Sequence, residues 1–247
     1  MSRSLTIPEQ LLRRSNRVVR PRDLKDLYAI PAQEVQRLAS QGVLLHLAHG
    51  YYAVPQAAWI GDQSWVPEVE AVALGIAVAD YEVSEVALVG ISAARVLGLV
   101  PRALGSAVVA VPARRRFMTT TAGLVHFLHR NAAEFETQVW RSELGQGRVS
   151  TVEQALLDVA RQPQQAGVTL GTAEEVLRTL SLEADWEIAR DLAANQRALP
   201  SYRRARWFAD ALVPDAPTLE RPRHPVASQG LRPVEPTDRS SFGIRDD

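Results

Sequence analysis

The stretch PAQEVQRLASQGVLLHLAHGYYAVP, residues 31–55, decides the fold of the N-terminal part of the chain. Its first half predicts a helix, because Val35 and Leu38 fall on one face at helical spacing and a glycine follows as a stop signal. Its second half has two short apolar runs on either side of His49-Gly50, a pair that suits a tight turn. The stretch therefore predicts a helix followed directly by a β-hairpin.

Two further helices are predicted before this stretch, over residues 6–16 and 20–28. Thr6 and Pro8 are suited to the beginning of the first of them. Three helices followed at once by a hairpin are typical of a winged helix-turn-helix, in which the third helix enters the major groove of DNA. We therefore expect an N-terminal DNA-binding module.

The side chains expected to contact DNA are basic or hydrogen-bonding. Base edges are read by Gln, Arg and Ser side chains, and phosphates are held by positive charge. A polar helix face is also what an ordinary solvated helix presents, so the expectation depends on the hairpin that follows. The predicted contacts are Gln33, Gln36, Arg37 and Ser40 for the groove, Arg17, Arg20, Arg22 and Lys25 for phosphates, and His46, His49 and Tyr51 in the wing.

Composition argues against several kinds of chemistry. The chain has no cysteine, which excludes disulfides, thiol nucleophiles and cysteine-ligated zinc. The histidine pairs 46/49 and 126/129 are each three residues apart on predicted strands, so their side chains diverge and predict no metal site. No catalytic motif is present, and a nuclease-like arrangement of acidic residues lacks a nearby lysine. We expect no catalytic residue, no metal, no cofactor and no enzymatic activity.

Charge is unevenly distributed, although the net charge is zero. Residues 1–58 carry eight basic and four acidic side chains, whereas residues 59–100 carry one and six. A basic head joined to an acidic block is typical of a nucleic-acid-binding module attached to another domain. No apolar run is long enough to span a bilayer and no leader pattern is evident, so we expect a soluble cytoplasmic protein.

The remainder predicts a mixed α/β domain over residues 59–213 and a flexible proline-rich tail over 214–247. The overall fold class is α+β, with the winged helix in residues 1–58. Ser92 is expected to begin one helix and Thr151 another. The predicted strands are 107–112, 124–130 and 135–141, and the predicted helices are 67–79, 93–97, 152–161, 171–180, 185–196 and 202–212.

Three segments carry a family resemblance. VVRPRDLKDLYAIPAQEVQRLASQGVLLHLAHGYYAVP, residues 18–55, resembles the N-terminal domain of AbiEi-type antitoxins of bacterial type IV toxin–antitoxin systems. VALVGISAARVLGLVP, residues 86–101, and RVSTVEQALLDVAR, residues 148–161, resemble two helices of the second domain of that family. Family members often have a histidine ahead of the Ser-Ala pair, where this chain has Val89-Gly90-Ile91.

The resemblance implies a bacterial transcriptional repressor that binds operator DNA upstream of its own operon and counters a nucleotidyltransferase-like toxin. The alternatives are a stand-alone regulator with a ligand-sensing second domain and, less favoured, a nuclease-like enzyme. The loop Arg114-Arg115-Arg116 is the expected functional surface of the second domain. We also expect separable modules: residues 1–64 binding the operator, residues 60–213 rescuing growth, and a dispensable tail.

Overall fold

The structure, a computed structural model, describes residues 7–62 and 64–211. The proline-rich tail predicted from residue 214 and the predicted cap Thr6 lie outside the described residues. Within them the chain is α+β, with a three-stranded sheet in the N-terminal part and a six-stranded sheet behind it. None of the described helices has the length and apolar character needed to span a bilayer.

The N-terminal module is a winged helix-turn-helix, as predicted. Its elements are α1 (Glu9–Leu12), β1 (Val18–Val19), a 3-10 turn (Pro21–Leu24), α2 (Pro31–Ser40), β2 (Leu45–Ala48) and β3 (Tyr51–Ala53). The hairpin turn lies at His49-Gly50, where Gly50 has a φ of +78° that favours glycine. Strand β3 lies between β1 and β2, and both pairings are antiparallel.

The first two predicted helices are shorter than expected. α1 begins after Pro8 and ends at Leu12, because the following residues bond to the second domain: Asn16 forms a bridge with Gly145. The predicted helix 20–28 is only a 3-10 turn over Pro21–Leu24. Strand β1 itself is not predicted from the sequence. A two-residue strand has too few residues to show an alternating pattern.

The six-stranded sheet consists of β4 (Ala87–Leu88), β5 (Ser106–Val111), β6 (Met118–Thr120), β7 (Gly123–His129), β8 (Thr137–Ser142) and β9 (Gly145–Ser150). Their order in the sheet is β6-β7-β5-β4-β9-β8. Parallel pairs join β5 to β7 and β4 to β9, and the other three pairings are antiparallel. Three of the strands were predicted to within a few residues.

The helices of the second domain follow the predicted order. They are α3 (Val69–Asp80), α4 (Gly90–Val96), α5 (Val152–Arg161), α6 (Leu170–Glu183), α7 (Trp186–Asn195) and α8 (Leu199–Asp210). Thr151 caps α5 by accepting a hydrogen bond from the Gln154 amide, as predicted. Ser92 does not begin a helix: it lies inside α4, and its Oγ accepts a hydrogen bond from the Val108 amide at 2.8 Å.

The N-terminal module up to residue 58, which we call the head, shares an apolar core with the second domain. One buried cluster combines Val18 of β1, Leu47 of β2 and Tyr51 of β3 with Ile76 of α3. Backbone hydrogen bonds reinforce this packing, because the Thr121 amide donates to the Leu47 carbonyl at 2.9 Å. The domain boundary predicted near residue 58 therefore separates two modules whose cores are in direct contact.

Gly75 marks the closest approach of α3 to the head. A Cβ placed at Gly75 would lie 2.4 Å from Cγ2 of Val18, a distance that real side chains do not reach. The Gly75 carbonyl also accepts a hydrogen bond from the Asn16 side chain at 3.0 Å. Glycine is therefore required here by close packing, even though it is unfavourable in a helix interior.

We expect Gly75→Ala to destabilise the protein by about 1–3 kcal/mol, the usual cost of overpacking a well-filled core. If a Cβ at this position did not meet Val18, alanine would instead stabilise the helix by about 0.5–1 kcal/mol. The sign of the change in unfolding free energy therefore shows whether the head is packed tightly on α3. Urea unfolding followed by circular dichroism measures it. Gly171→Ala is the matched control, since a Cβ there meets no atom within 4 Å and the change should be neutral or stabilising.

Candidate nucleic-acid interface

The outer face of α2 is polar and accessible. Val35 and Leu38 point into the core of the head, with exposures of 0% and 3%. The opposite face consists of the four side chains predicted to enter the major groove, all of them exposed: Gln33, Gln36, Arg37 and Ser40. The side-chain amide groups of Gln33 and Gln36 have no hydrogen-bond partner within residues 7–62 and 64–211. Two unengaged carboxamides on one helix face have the donor and acceptor pair that reads adenine.

Arg37 is held in place by its own helix. Its Nε donates to Oε2 of Glu34 at 2.9 Å, and its Nη1 donates to Oε1 of Gln41 at 2.8 Å. The hydrogen bond from Arg37 holds the pKa of the Glu34 carboxyl below its ordinary value, so Glu34 is charged at neutral pH. For Arg37 to contact a guanine, its hydrogen bonds to Glu34 therefore have to be replaced by hydrogen bonds to the edge of the base.

Three further predicted contacts lie on the surface of the head. Lys25 is exposed and makes no ion pair in the described part of the chain. His46 is exposed on β2, with its ring at 5.2 Å from the Tyr52 ring in an edge-to-face arrangement. His49 is exposed at the hairpin turn. These side chains are accessible to a nucleic acid, and their contacts with DNA stay a prediction.

Arg17 and Tyr51 are placed differently from the expectation. Arg17 is partly buried, and its Nη1 donates to the Pro55 carbonyl at 3.2 Å, so it ties β1 to the end of the wing. Tyr51 is only 4% exposed and lies against the second domain. The hairpin faces α3 on this side, because its apolar residues complete the shared core. The expected role of Tyr51 as a surface contact is therefore wrong.

The residues around Asp80 form a partly buried ionic cluster between head and second domain, which we call the Asp80 junction. It consists of Asp80 at the end of α3, Arg20 and Arg22 of the head, Tyr51 of the wing, and Arg115. Oδ2 of Asp80 lies 2.6 Å from Nη1 of Arg115, and Oδ1 lies 3.0 Å from Nη2 of Arg22. Arg20 also binds Oδ1. The carboxylate thus holds three guanidinium groups.

Burial and hydrogen bonding act on Asp80 in opposite directions. Desolvation raises the pKa of its carboxyl, but the hydrogen bonds from Tyr51 and Arg20 outweigh this and hold the pKa below its ordinary value. Burial, followed by the hydrogen bond to Asp80, raises the pKa of the Tyr51 hydroxyl. At neutral pH Asp80 is therefore ionised and Tyr51 protonated. The charged cluster should weaken only in acid, as pH falls through the lowered pKa of Asp80.

The side chains of the loop Arg114-Arg115-Arg116 in the second domain do not all face solvent. Arg115 points inward: its guanidinium lies 4.1 Å from the centre of the Phe127 ring and binds Asp80. Arg114 and Arg116 are exposed and make no ion pair within the described residues. The expectation that all three arginines form one accessible surface is therefore wrong for Arg115, because the carboxylate at the end of α3 draws it into the junction.

Asp80 is the residue of this region that sequence reasoning missed. It appears in the sequence as one of several acidic residues after an apolar helix, and its four partners lie 29 to 60 positions away. No local pattern links residues so far apart. The only available signal was an acidic side chain at a helix end surrounded by apolar sequence.

Two open clefts lie in the described part of the second domain. One, of about 310 Å³, is lined by His126 and the segment Gln164–Gly167. The other, of about 420 Å³, lies between Arg95, Trp140 and Glu143. Burial lowers the pKa of the His126 imidazole, and its buried Nε2 has no hydrogen-bond partner among the described residues. No group of three or more His, Asp or Glu side chains suited to a metal ion occurs in residues 7–62 and 64–211.

Comparison with known proteins bears on the N-terminal module. Residues 7–55 match the family model described as transcriptional regulator, AbiEi antitoxin. The fold is similar to that of the RV2827C protein from Mycobacterium tuberculosis, with a TM-score of 0.51 and 19% identity over 82% of this chain and 74% of that chain. No curated protein sequence matches the chain. Residues 7–55 are thus similar to the family of AbiEi antitoxins and transcriptional regulators that the sequence motifs also resemble.

Proposed function

We propose that the protein is the antitoxin of a type IV toxin–antitoxin system and represses its own operon. The observation that carries the DNA-binding part is the exposed polar face of α2, where Arg37 lies beside Gln33 and Gln36, whose side chains have no hydrogen-bond partner among the described residues. This face belongs to the module that matches the AbiEi regulators. The site comprises Gln33, Gln36, Arg37 and Ser40, with Lys25, His46 and His49 at its border.

In this proposal the second domain counters a nucleotidyltransferase-like toxin in the bacterial cytoplasm, without enzymatic activity of its own. Arg114 and Arg116 are the side chains we assign to that role, because they are exposed and unpaired within the described residues. The stand-alone regulator remains the second candidate. Its specific support is the 310 Å³ cleft beside His126, which is large enough for a small ligand.

Two measurements test the proposal. The purified protein is titrated against the DNA upstream of its own gene and against a shuffled duplex, and we expect the native sequence to bind about a thousandfold more tightly. Co-expression with the product of the adjacent gene then tests growth rescue. Equal affinity for both duplexes would contradict sequence-specific regulation. Specific binding without a toxic neighbouring gene product would favour the stand-alone regulator.

A further inference from the structure

The Asp80 junction contains more positive than negative charge. Arg20, Arg22 and Arg115 converge on Asp80, and the nearest additional carboxylate is Asp23, with Oδ1 at 3.6 Å from Nε of Arg22. Three guanidinium groups therefore share two carboxylates. The Arg22 side chain is 52% exposed, whereas Asp80 is 11% exposed. The surplus positive charge thus faces solvent, and the negative charge faces the protein interior.

The position of Arg20 and Arg22 in the fold indicates which anion this excess of positive charge can bind. Both lie at the beginning of the 3-10 turn that precedes α2, the segment that crosses the DNA backbone when a helix-turn-helix docks in the major groove. A guanidinium binds carboxylate and phosphodiester oxygens with the same forked geometry. In the free protein Asp80 therefore holds the two guanidinium groups that a DNA phosphate would otherwise bind.

Asp80 has partners that do not depend on the head arginines. Nη1 of Arg115 donates to Oδ2, and the Tyr51 hydroxyl donates to the same oxygen. Arg115 is fixed in turn by Phe127 and is 17% exposed, so it stays inside. If Arg20 and Arg22 turned outward, Asp80 would still be paired, which avoids the large cost of an unpaired buried charge.

From these contacts we infer that Asp80 competes with a DNA phosphate for Arg20 and Arg22. The two arginines bind Asp80 in the free protein and exchange it for phosphodiester oxygens when the head docks on DNA. Binding therefore loosens the contact between head and second domain at this point, and Asp80 limits affinity for DNA of any sequence. The inference rests on the proposed DNA-binding function.

The test measures dissociation constants of the full chain for the operator and for a shuffled duplex over a range of salt. Asp80→Asn removes the competitor, so we expect it to tighten both by about tenfold, with little change in the slope against log salt. Arg22→Gln removes one phosphate contact and should reduce that slope by about 0.9. With Arg22→Gln already present, the gain from Asp80→Asn should shrink.

Glu82→Gln is the matched control, because it removes one negative charge from an exposed position two residues away without touching an arginine. An affinity gain no larger than that of Glu82→Gln would overturn the inference. If Asp80→Asn fails to fold, the Arg22→Gln variant tests the inference instead. An unchanged dependence of its DNA affinity on log salt would then overturn the inference. Failure of the unaltered protein to prefer its operator contradicts the proposed function instead, so the two failures are distinguishable.

Discussion

The double substitution Gln33→Ala and Arg37→Ala is expected to remove specific operator binding. A bidentate contact between a side chain and a base edge contributes about 1–3 kcal/mol of discrimination. Losing two such contacts should weaken operator affinity by about thirtyfold to more than ten-thousandfold. Affinity for a shuffled duplex should change far less, because it depends on phosphate contacts. Fluorescence anisotropy with both duplexes measures the two affinities.

The control is the pair Gln138→Ala and Arg141→Ala, the same residue types on the exposed edge strand β8. It changes composition and charge equally but lies on the second domain, so operator affinity should stay as in the unaltered protein. Equal operator affinity for the α2 variant and this control would exclude α2 as the reading helix. Stability should not change in either variant, since all four side chains are exposed.

Helix α2 and the hairpin after it were predictable because their sequence signals are local. Val35 and Leu38 fix the buried face of α2, and His49-Gly50 fixes the turn. Strand β9 was missed because its sequence, GQGRVS, contains two glycines and no alternating apolar pattern. It forms because it pairs with β8 along its whole length. It also pairs in parallel with β4, through Leu88 and Val149. A pairing between residues so far apart in the chain leaves no trace in the sequence window of the strand itself.

The candidate interface was predictable only in part, for the same reason. The exposed face of α2 follows from helical periodicity alone. The inward turn of Arg20, Tyr51 and Arg115 depends on a carboxylate that the fold brings to them from elsewhere in the chain. Basic residues near a helix-turn-helix suggest phosphate contacts, but the sequence does not show which of them are already engaged by an internal anion.

The shared core leads to the second large effect: residues 1–64 alone are expected not to fold. Without α3, the buried side chains of Val18, Leu47 and Tyr51 would face water, and the carboxylate that balances Arg20 would be absent. Fully burying one such apolar side chain contributes about 1.5–3 kcal/mol, and a module of this size has little stability to lose. The fragment should therefore be unfolded and should not bind the operator.

This expectation reverses the hypothesis of separable modules that charge distribution suggested. Extending the fragment to residue 82 adds α3 but exposes that helix's other side, because every residue from Val69 to Ala77 is buried in the whole protein. We therefore expect the full chain to unfold in a single transition, with the amides of β3 and α5 exchanging with solvent at similar free energies. Hydrogen exchange measured by mass spectrometry resolves both segments. A folded, operator-binding fragment 1–64, or separate transitions for the two segments, would show that the modules are independent and that their contact contributes little to stability.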